Sequence, residues 1–540
     1  MNNNILKSLA VVGLAAAVLV ACDDQAVNKN DAAGSASSVQ VSGALGLPVS
    51  GTLPGTDVFG NSIDAQGNVC VAQNLTIDGT TTLHNFVHVL PGFTITFAPG
   101  VTVRGVKQSA TSANVKPGTL IIERGAQINA AGTASSPITF TSDLATPAPG
   151  DWGGIVVLGR ADANILGTRG TTPSGVNGVG IIEGLGTTVP ATLCSGFTTA
   201  GRYGNGDLPA GSYNTESSGT IQYVRIAYAG FALSAGNELN SLTLGGVGSG
   251  TTLDHVQVHK GFDDGFEFFG GTVNGTYLVS SGSADDDFDT DQGYSGKLQF
   301  GFVARAVNNS YLADAPLNGG ESNGDNDDDV NANTLTSAQF SNFTIVGPYQ
   351  NTAITALDQD YRAGTYYRDL SKQDLFNSVI LGFPYGIEVS SESGFTLANL
   401  FNYTNPTALD ATKTDIRNTT IVVPAQSLIT GVTTAATFND ATGASFNTEF
   451  LTSGLNNAIF TATSTTVGNT GSQAGTSNAR ISTGTWNFVT SGTLPTPLPT
   501  ATSSLLNSAD FSLLSGFTVV TYRGAFNNTT NWLSGWTIWN

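Results

Sequence analysis

Asp263-Asp264-Gly265-Phe266-Glu267 and Asp285-Asp286-Asp287-Phe288-Asp289 stand 22 residues apart, position for position. An offset of that size is one turn of a β-solenoid, within the span of roughly 20–50 residues that marks stacked repeats. If successive turns pile up, one acidic segment lies above the other, and the stretch 219–300 around them sets the architecture.

Working outward, a strand signature recurs: an apolar residue, a polar or small one two later, and an apolar one five later. It occurs at Ile221/Tyr223/Ile226, Leu253/His255/Val258, Val273/Gly275/Leu278, Phe340/Asn342/Ile345, Leu375/Asn377/Ile380 and Ile416/Asn418/Ile421. Alternating Val and Ile suit strands with one buried face. Asn at the middle position of the last three units suits a left-handed bend, and stacked amides there are expected to hydrogen-bond from coil to coil. Earlier in the chain, Gly100 aligns with Gly125, Val101 with Ala126 and Val103 with Ile128, an offset of 25. Residues 161–218 read as a loop excursion, and 312–336 and 346–372 as inserted loops. The strands are nearer five or six residues than the 9–11 or so of a membrane barrel. The expected fold class is therefore all-β, a parallel β-helix or solenoid.

Composition agrees. The chain has 540 residues, 66 of them Gly, with 40% hydrophobic and 11% charged residues. Low charge with ample apolar content argues against disorder. The net charge of −20 argues against nucleic acid as a partner, because phosphate neutralisation needs the opposite sign. It suits holding cations and staying soluble.

Residues 119–160, with Gly125-Ala126-Gln127-Ile128, Pro137-Ile138-Thr139-Phe140 and Gly150-Asp151-Trp152-Gly153-Gly154, resemble a group of bacterial right-handed β-helix surface lipoproteins. The resemblance resumes at Asn237-Glu238-Leu239-Asn240 and at Asp263 to Asn274, and again at Thr521 to Phe526 and Asn531 to Trp536. It implies a right-handed parallel β-helix with a C-terminal capping region, carried at the cell envelope. The N-terminus is consistent: Lys7 precedes a short apolar run from Leu9 to Val20, read as an export signal peptide. Leu19-Val20-Ala21-Cys22 resembles a lipobox, which implies lipidation of Cys22; the alternative is an ordinary signal peptide with an incidental Cys. Lipid chains tether a protein without spanning the bilayer. The Asp23 that follows resembles an inner-membrane retention signal of enteric bacteria, a rule other lineages do not follow, so this residue leaves the choice of membrane open; the expected location is the outer membrane or cell surface, with the inner membrane as the alternative. The expected organisation is a signal peptide (1–22), a flexible tether (23–60), a parallel β-helix (61–435) and a C-terminal cap or extension (436–540). In that last part Pro495, Pro497 and Pro499 mark a linker, and Trp532 to Trp539 pack on the last coils.

The chemistry-bearing residues concentrate in the acidic stretch. Asp285, Asp287, Asp289 and Asp291 alternate, so an extended strand points all four one way, with Asp263, Asp264, Glu267 and Asp286 beside them. Such repulsion needs a counter-ion, and hard oxygen ligands at this density favour Ca²⁺. Asp325, Asp327 and Asp329 form a second candidate metal site. Cys70 and Cys194 either form a disulfide or remain two buried thiols; export permits the bridge. Two functions follow. One is a calcium-stabilised binding or structural module of the cell surface, whose partners are glycans or outer-membrane proteins. The other is a polysaccharide lyase or glycoside hydrolase, since β-helix lyases pair Asp-bound Ca²⁺ with a basic residue. His259, Lys260 and Arg305 are the basic groups nearest the acids in sequence, and no catalytic residue is assigned.

Overall fold

The computed structural model describes residues 39–41, 43–109, 115–165, 178–183, 185, 193, 196–209, 212–234, 237–305, 320–323, 335–348, 361–383, 385–389, 397–423, 449–461 and 492–540. The chain winds as a parallel β-helix. In one sheet Leu253, Gly275, Leu298, Phe340, Leu375 and Ile416 are successive partners in a parallel ladder. In the second, the ladder runs Val69, Val87, Leu120, Ile155, Leu242, Phe266 and Phe288. Every second side chain turns inward, which is why these residues, Gly275 apart, form one continuous buried core. The Phe266 and Phe288 rings stack at 4.8 Å and 7°, the spacing of neighbouring strands.

The recurring signature marks a left-handed bend between two short strands of each coil. Asn342, Asn377 and Asn418 have φ of 56°, 49° and 52°. The bend is not an asparagine privilege, because Tyr223, His255, Tyr277 and Phe300 adopt it too, with φ between 48° and 62°. The Val273/Gly275/Leu278 unit is misaligned by two, since Leu253 pairs with Gly275 and Val256 with Leu278. That places Tyr277 on His255. These four rings stack in sequence at 4.3, 4.4 and 4.8 Å. The offset of 25 also fails as a coil length: Ile128 pairs with Ile95, and Val103 with Phe140. Gly100 and Gly125 do take positive φ, but at different corners of the coil.

Both ends differ from the expected boundaries. Val39–Val41 pairs with Leu75–Ile77, and Ala44–Leu45 with Thr82–Leu83. Residues 39–41 and 44–45 of the 23–60 segment therefore belong to the helix, as rungs of its first sheet. Glu321–Asn323 and Ala363–Arg368, within the stretches read as inserted loops, are paired strands of the second sheet. Ala458–Thr461 adds a further rung on Thr420–Val423, past residue 435.

The C-terminal segment does not cap the last coils. It runs along the flank, back toward earlier ones. Three carboxamides hold its backbone in two-point clamps. Gln257 donates to the Ile538 carbonyl and accepts from its N–H, both at 2.8 Å. Gln299 does the same with Thr518, both at 2.8 Å, and Asn377 with Asp510 at 3.1 and 2.8 Å. A carboxamide has the donor and acceptor of a peptide group, so it satisfies a strap whose N–H and C=O lack a sheet partner. Coil-to-coil amide bonding also occurs: Gln299 donates to Asn342 Oδ1 on the next coil at 3.0 Å. Trp532 and Trp536 seal the aromatic stack edge-on, at 5.2 Å from Tyr277 and 5.5 Å from His255. Asn377→Ala removes the clamp and puts a side chain with no αL tolerance at φ 49°, for an expected loss of about 2–4 kcal/mol. Asn377→Gly keeps the bend and loses only the clamp, about 1–3 kcal/mol. Urea unfolding ranks the two, and equal losses would refute the role of the bend.

The excursion folds as a cover. Val179–Ile181 and Arg202–Gly204 pair antiparallel, and Ile182, Leu185 and Tyr203 pack on Ile121, Val156, Leu158 and Phe269. The outward side chains of the second sheet are apolar there and need this lid. Cys70 is disulfide-bonded and packs against Leu193; Cys194 lies outside the described residues, as do Cys22 and Asp325, Asp327 and Asp329.

Candidate metal centre

The two acidic segments occupy the same corner of consecutive coils. Phe266–Phe269 pairs with Phe288–Asp291, with Glu267 opposite Asp289, and the Asp286 N–H donates to Asp264 Oδ1 at 2.8 Å. Phe266 and Phe288 point inward, so Glu267 and Asp289 point outward. Gly265 lets the coils close up: a Cβ there would come within 2.5 Å of Ser280 Oγ and 2.7 Å of the Asp287 carbonyl.

Carboxylate oxygens of Asp263, Asp264 and Asp285 lie within 4.8 Å of one another, and so do those of Asp264, Glu267 and Asp289. Two oxygens on opposite sides of one Ca²⁺ at about 2.4 Å each are about 4.8 Å apart, so each group is compact enough for a shared ion, with Asp264 common to both. Asp263, Asp264 and Glu267 are buried, Asp285 and Asp289 half-buried. Burial first, then Asp285 and Asp263, hold the Asp264 carboxyl well above the usual range. Burial first, then Glu183 and Asp289, do the same to Glu267. A cation would remove this penalty by supplying the missing charge.

The acids do not all face one way. Asp285, Asp286 and Asp287 precede the strand, and only Asp289 and Asp291 alternate along it. Asp287 turns inside, where Arg305 Nε lies 2.7 Å from Oδ2 and Ser280 donates at 2.5 Å. Asp286 Oδ1 is 3.8 Å from the same guanidinium. Asp286 and Asp287 are therefore partners of an arginine rather than members of either carboxylate group. Asp291 lies under the excursion and accepts from the Gln292 N–H at 2.5 Å.

Several members carry no signal in the spacing. Glu183 comes from the excursion and is pushed up to about 8 by burial, with Glu238 and Asp291 adding to it. Asn240, on the coil before, donates to Glu267 and accepts from the Asp264 N–H at 3.1 Å. Thr243 is the rung before Glu267 and is fully buried, its Oγ1 without a hydrogen-bond partner among the described residues. Asn240 stands in a motif quoted above, but nothing there marks it as a partner of the acids, and Glu183 stands in no motif.

Of the basic groups, Arg305 stays in this corner, where its charge also acts on Asp285, while His259 and Lys260 are engaged by the strap. Arg305 is fully buried, and also donates to the Ser283 carbonyl at 3.0 Å. His259 is buried against the C-terminal strap, bonded to Ser281 Oγ at 2.9 Å and to the Asn540 carbonyl at 3.0 Å; burial pushes it down to about 4. Lys260 donates to the same carbonyl at 2.9 Å.

Coils stacked in parallel, with carboxylates stacked on one outer corner, define a β-helix protein with a polyanionic ladder. The chain belongs to the family described as the pectate-lyase like beta helix domain, which matches residues 68–181 and 190–478. No curated protein and no solved structure matches it.

Proposed function

We propose that the chain is a lipid-anchored β-helix of the cell envelope that holds Ca²⁺ on its acidic ladder and serves as a binding or structural module. One observation carries the reading: five carboxylates from two coils meet in two overlapping groups on one corner. Anchoring rests on the lipobox-like Cys22, and placement at the outer membrane or cell surface on the same segment. No helix among the described residues is long and apolar enough to cross a membrane.

Calorimetric titration with Ca²⁺ is expected to show binding by the wild type and none by Asp264→Asn with Asp289→Asn, which removes the shared ligand and leaves the Arg305 pair intact. A flat wild-type trace would refute the ion. The family favours a second reading, a polysaccharide lyase or hydrolase. The basic groups nearest the acids in sequence, Arg305, His259 and Lys260, are bound to Asp287 and to the strap, so this reading would rest on the carboxylates themselves. A screen of acidic polysaccharides for ultraviolet-absorbing unsaturated ends and for reducing ends separates the two: activity abolished by the same double variant would replace the first reading.

A further inference from the structure

Lys116 reaches across the outer face of the early coils. Asn68, Phe86 and Thr119 are successive rungs of the second sheet, and Lys116 stands three residues before Thr119. Its Nζ lies over the Phe86 ring, 4.6 Å from the centroid, and meets Asn68 Oδ1 at 2.5 Å. A C=O bond is about 1.2 Å long, so Nζ is no more than about 3.7 Å from the carboxamide carbon of Asn68. That is close to the separation of about 3–3.5 Å at which reacting atoms are held for attack. Asn68 is fully buried, which keeps water from that carbon.

The other side of the carboxamide faces an acid. Asn68 Nδ2 donates to Asp64 Oδ2 at 2.8 Å. Asp64 Oδ1 accepts from the backbone N–H of Gln66 at 2.9 Å and of Asn68 at 2.8 Å. The turn therefore fixes the carboxylate against the nitrogen that would leave. Burial pushes the Lys116 ammonium down to about 8, with the charge of Asp64 opposing it, so much of it is free amine just above neutrality. Amine, amide carbon and carboxylate are the three groups an amide exchange needs: a nucleophile, an electrophile and a proton carrier. None of the three residues belongs to the acidic ladder.

We propose that Lys116 and Asn68 join covalently, Nζ to Cγ, with Asp64 carrying the proton. Lys116 first loses its ammonium proton to solvent. The Nζ lone pair then forms the bond to Cγ. Asp64 takes a proton from Nζ and delivers it to Nδ2, and the Cγ–Nδ2 bond breaks with release of ammonia. No oxidant or cofactor enters. The product is a secondary amide that ties the coil of Asn68 to that of Thr119 across the rung of Phe86. To test it, the full chain is incubated folded at about pH 8, where the Lys116 amine is half free, then denatured, reduced, digested and read by tandem mass spectrometry. A branched peptide joining the Asn68 and Lys116 segments is expected, lighter by one ammonia than the two together. Lys116→Arg, which keeps the charge over Phe86, should abolish it, and Asp64→Asn should slow its formation about a hundred-fold or more. Separate, unmodified segments in a wild type that unfolds cooperatively, a branch at another lysine, or an unchanged rate in Asp64→Asn would each overturn the proposal.

Discussion

Arg305→Met is expected to destabilise the fold by about 3–5 kcal/mol, the cost of leaving one member of a buried ion pair alone. Arg305 and Asp287 are both fully buried, 2.7 Å apart, inside a corner that also contains Asp286. Burial pushes Asp287 up to about 6 even with the guanidinium and Ser280 opposing it. Without Arg305 that carboxyl has no way to stay ionised cheaply, so it protonates in the folded state and ionises on unfolding. A folded-state pKa above the unfolded one favours the fold at low pH and loses that contribution as pH rises. The deficit of Arg305→Met should therefore shrink between pH 7 and pH 5. Adding Asp287→Asn should restore part of the stability at pH 7. Urea unfolding of the four members of this cycle measures the coupling, and simple additivity would show that the pair does not hold the corner.

The second large effect is the response of the acidic ladder to pH and Ca²⁺. Asp264 and Glu267 are raised well above the usual range, and Glu183 to about 8, burial being the first cause in each. Raised carboxyls bind protons more tightly folded than unfolded, so without a cation stability falls as pH rises from about 4, the unfolded value, through about 8. Each unit of difference is worth about 1.4 kcal/mol. An ion that binds only the ionised, folded ladder adds about 2.7 kcal/mol at a hundred-fold excess over its Kd. Thermal unfolding in chelator should drop steadily from pH 5 to pH 8, while millimolar Ca²⁺ holds it up. The two curves should separate most at pH 8 and converge toward pH 4. Curves that coincide throughout would refute the ion, and a Ca²⁺ effect independent of pH would place it elsewhere.

The sequence by itself determined the coil. A spacing of 22 between two acidic segments put Glu267 over Asp289 because strand pairing carries equivalent positions from one turn to the next. It also determined the left-handed bends at Asn342, Asn377 and Asn418, because αL tolerance is a local property of the side chain. Tyr277 was missed for the same reason: an aromatic takes that bend only when stacked neighbours hold it, and stacking is not local. The boundaries slipped because coils of unequal length hide a period; Leu298 pairs with Phe340, 42 residues on, while Leu253 pairs with Gly275, 22 on.

Tertiary structure alone decided which acids form a site. Asp287 and Asp289 are alike in sequence, but one lies before the strand and meets Arg305, the other lies on it and meets Glu267. Glu183 reaches the ladder on an excursion whose docking depends on the apolar outer faces of Ile121, Val156 and Phe269. The strap lies on the flank because Gln257, Gln299 and Asn377, far apart in the chain, present matching carboxamides to it. Periodicity fixes what repeats up the axis. Which side chains meet across it depends on loops and termini whose paths no repeat encodes.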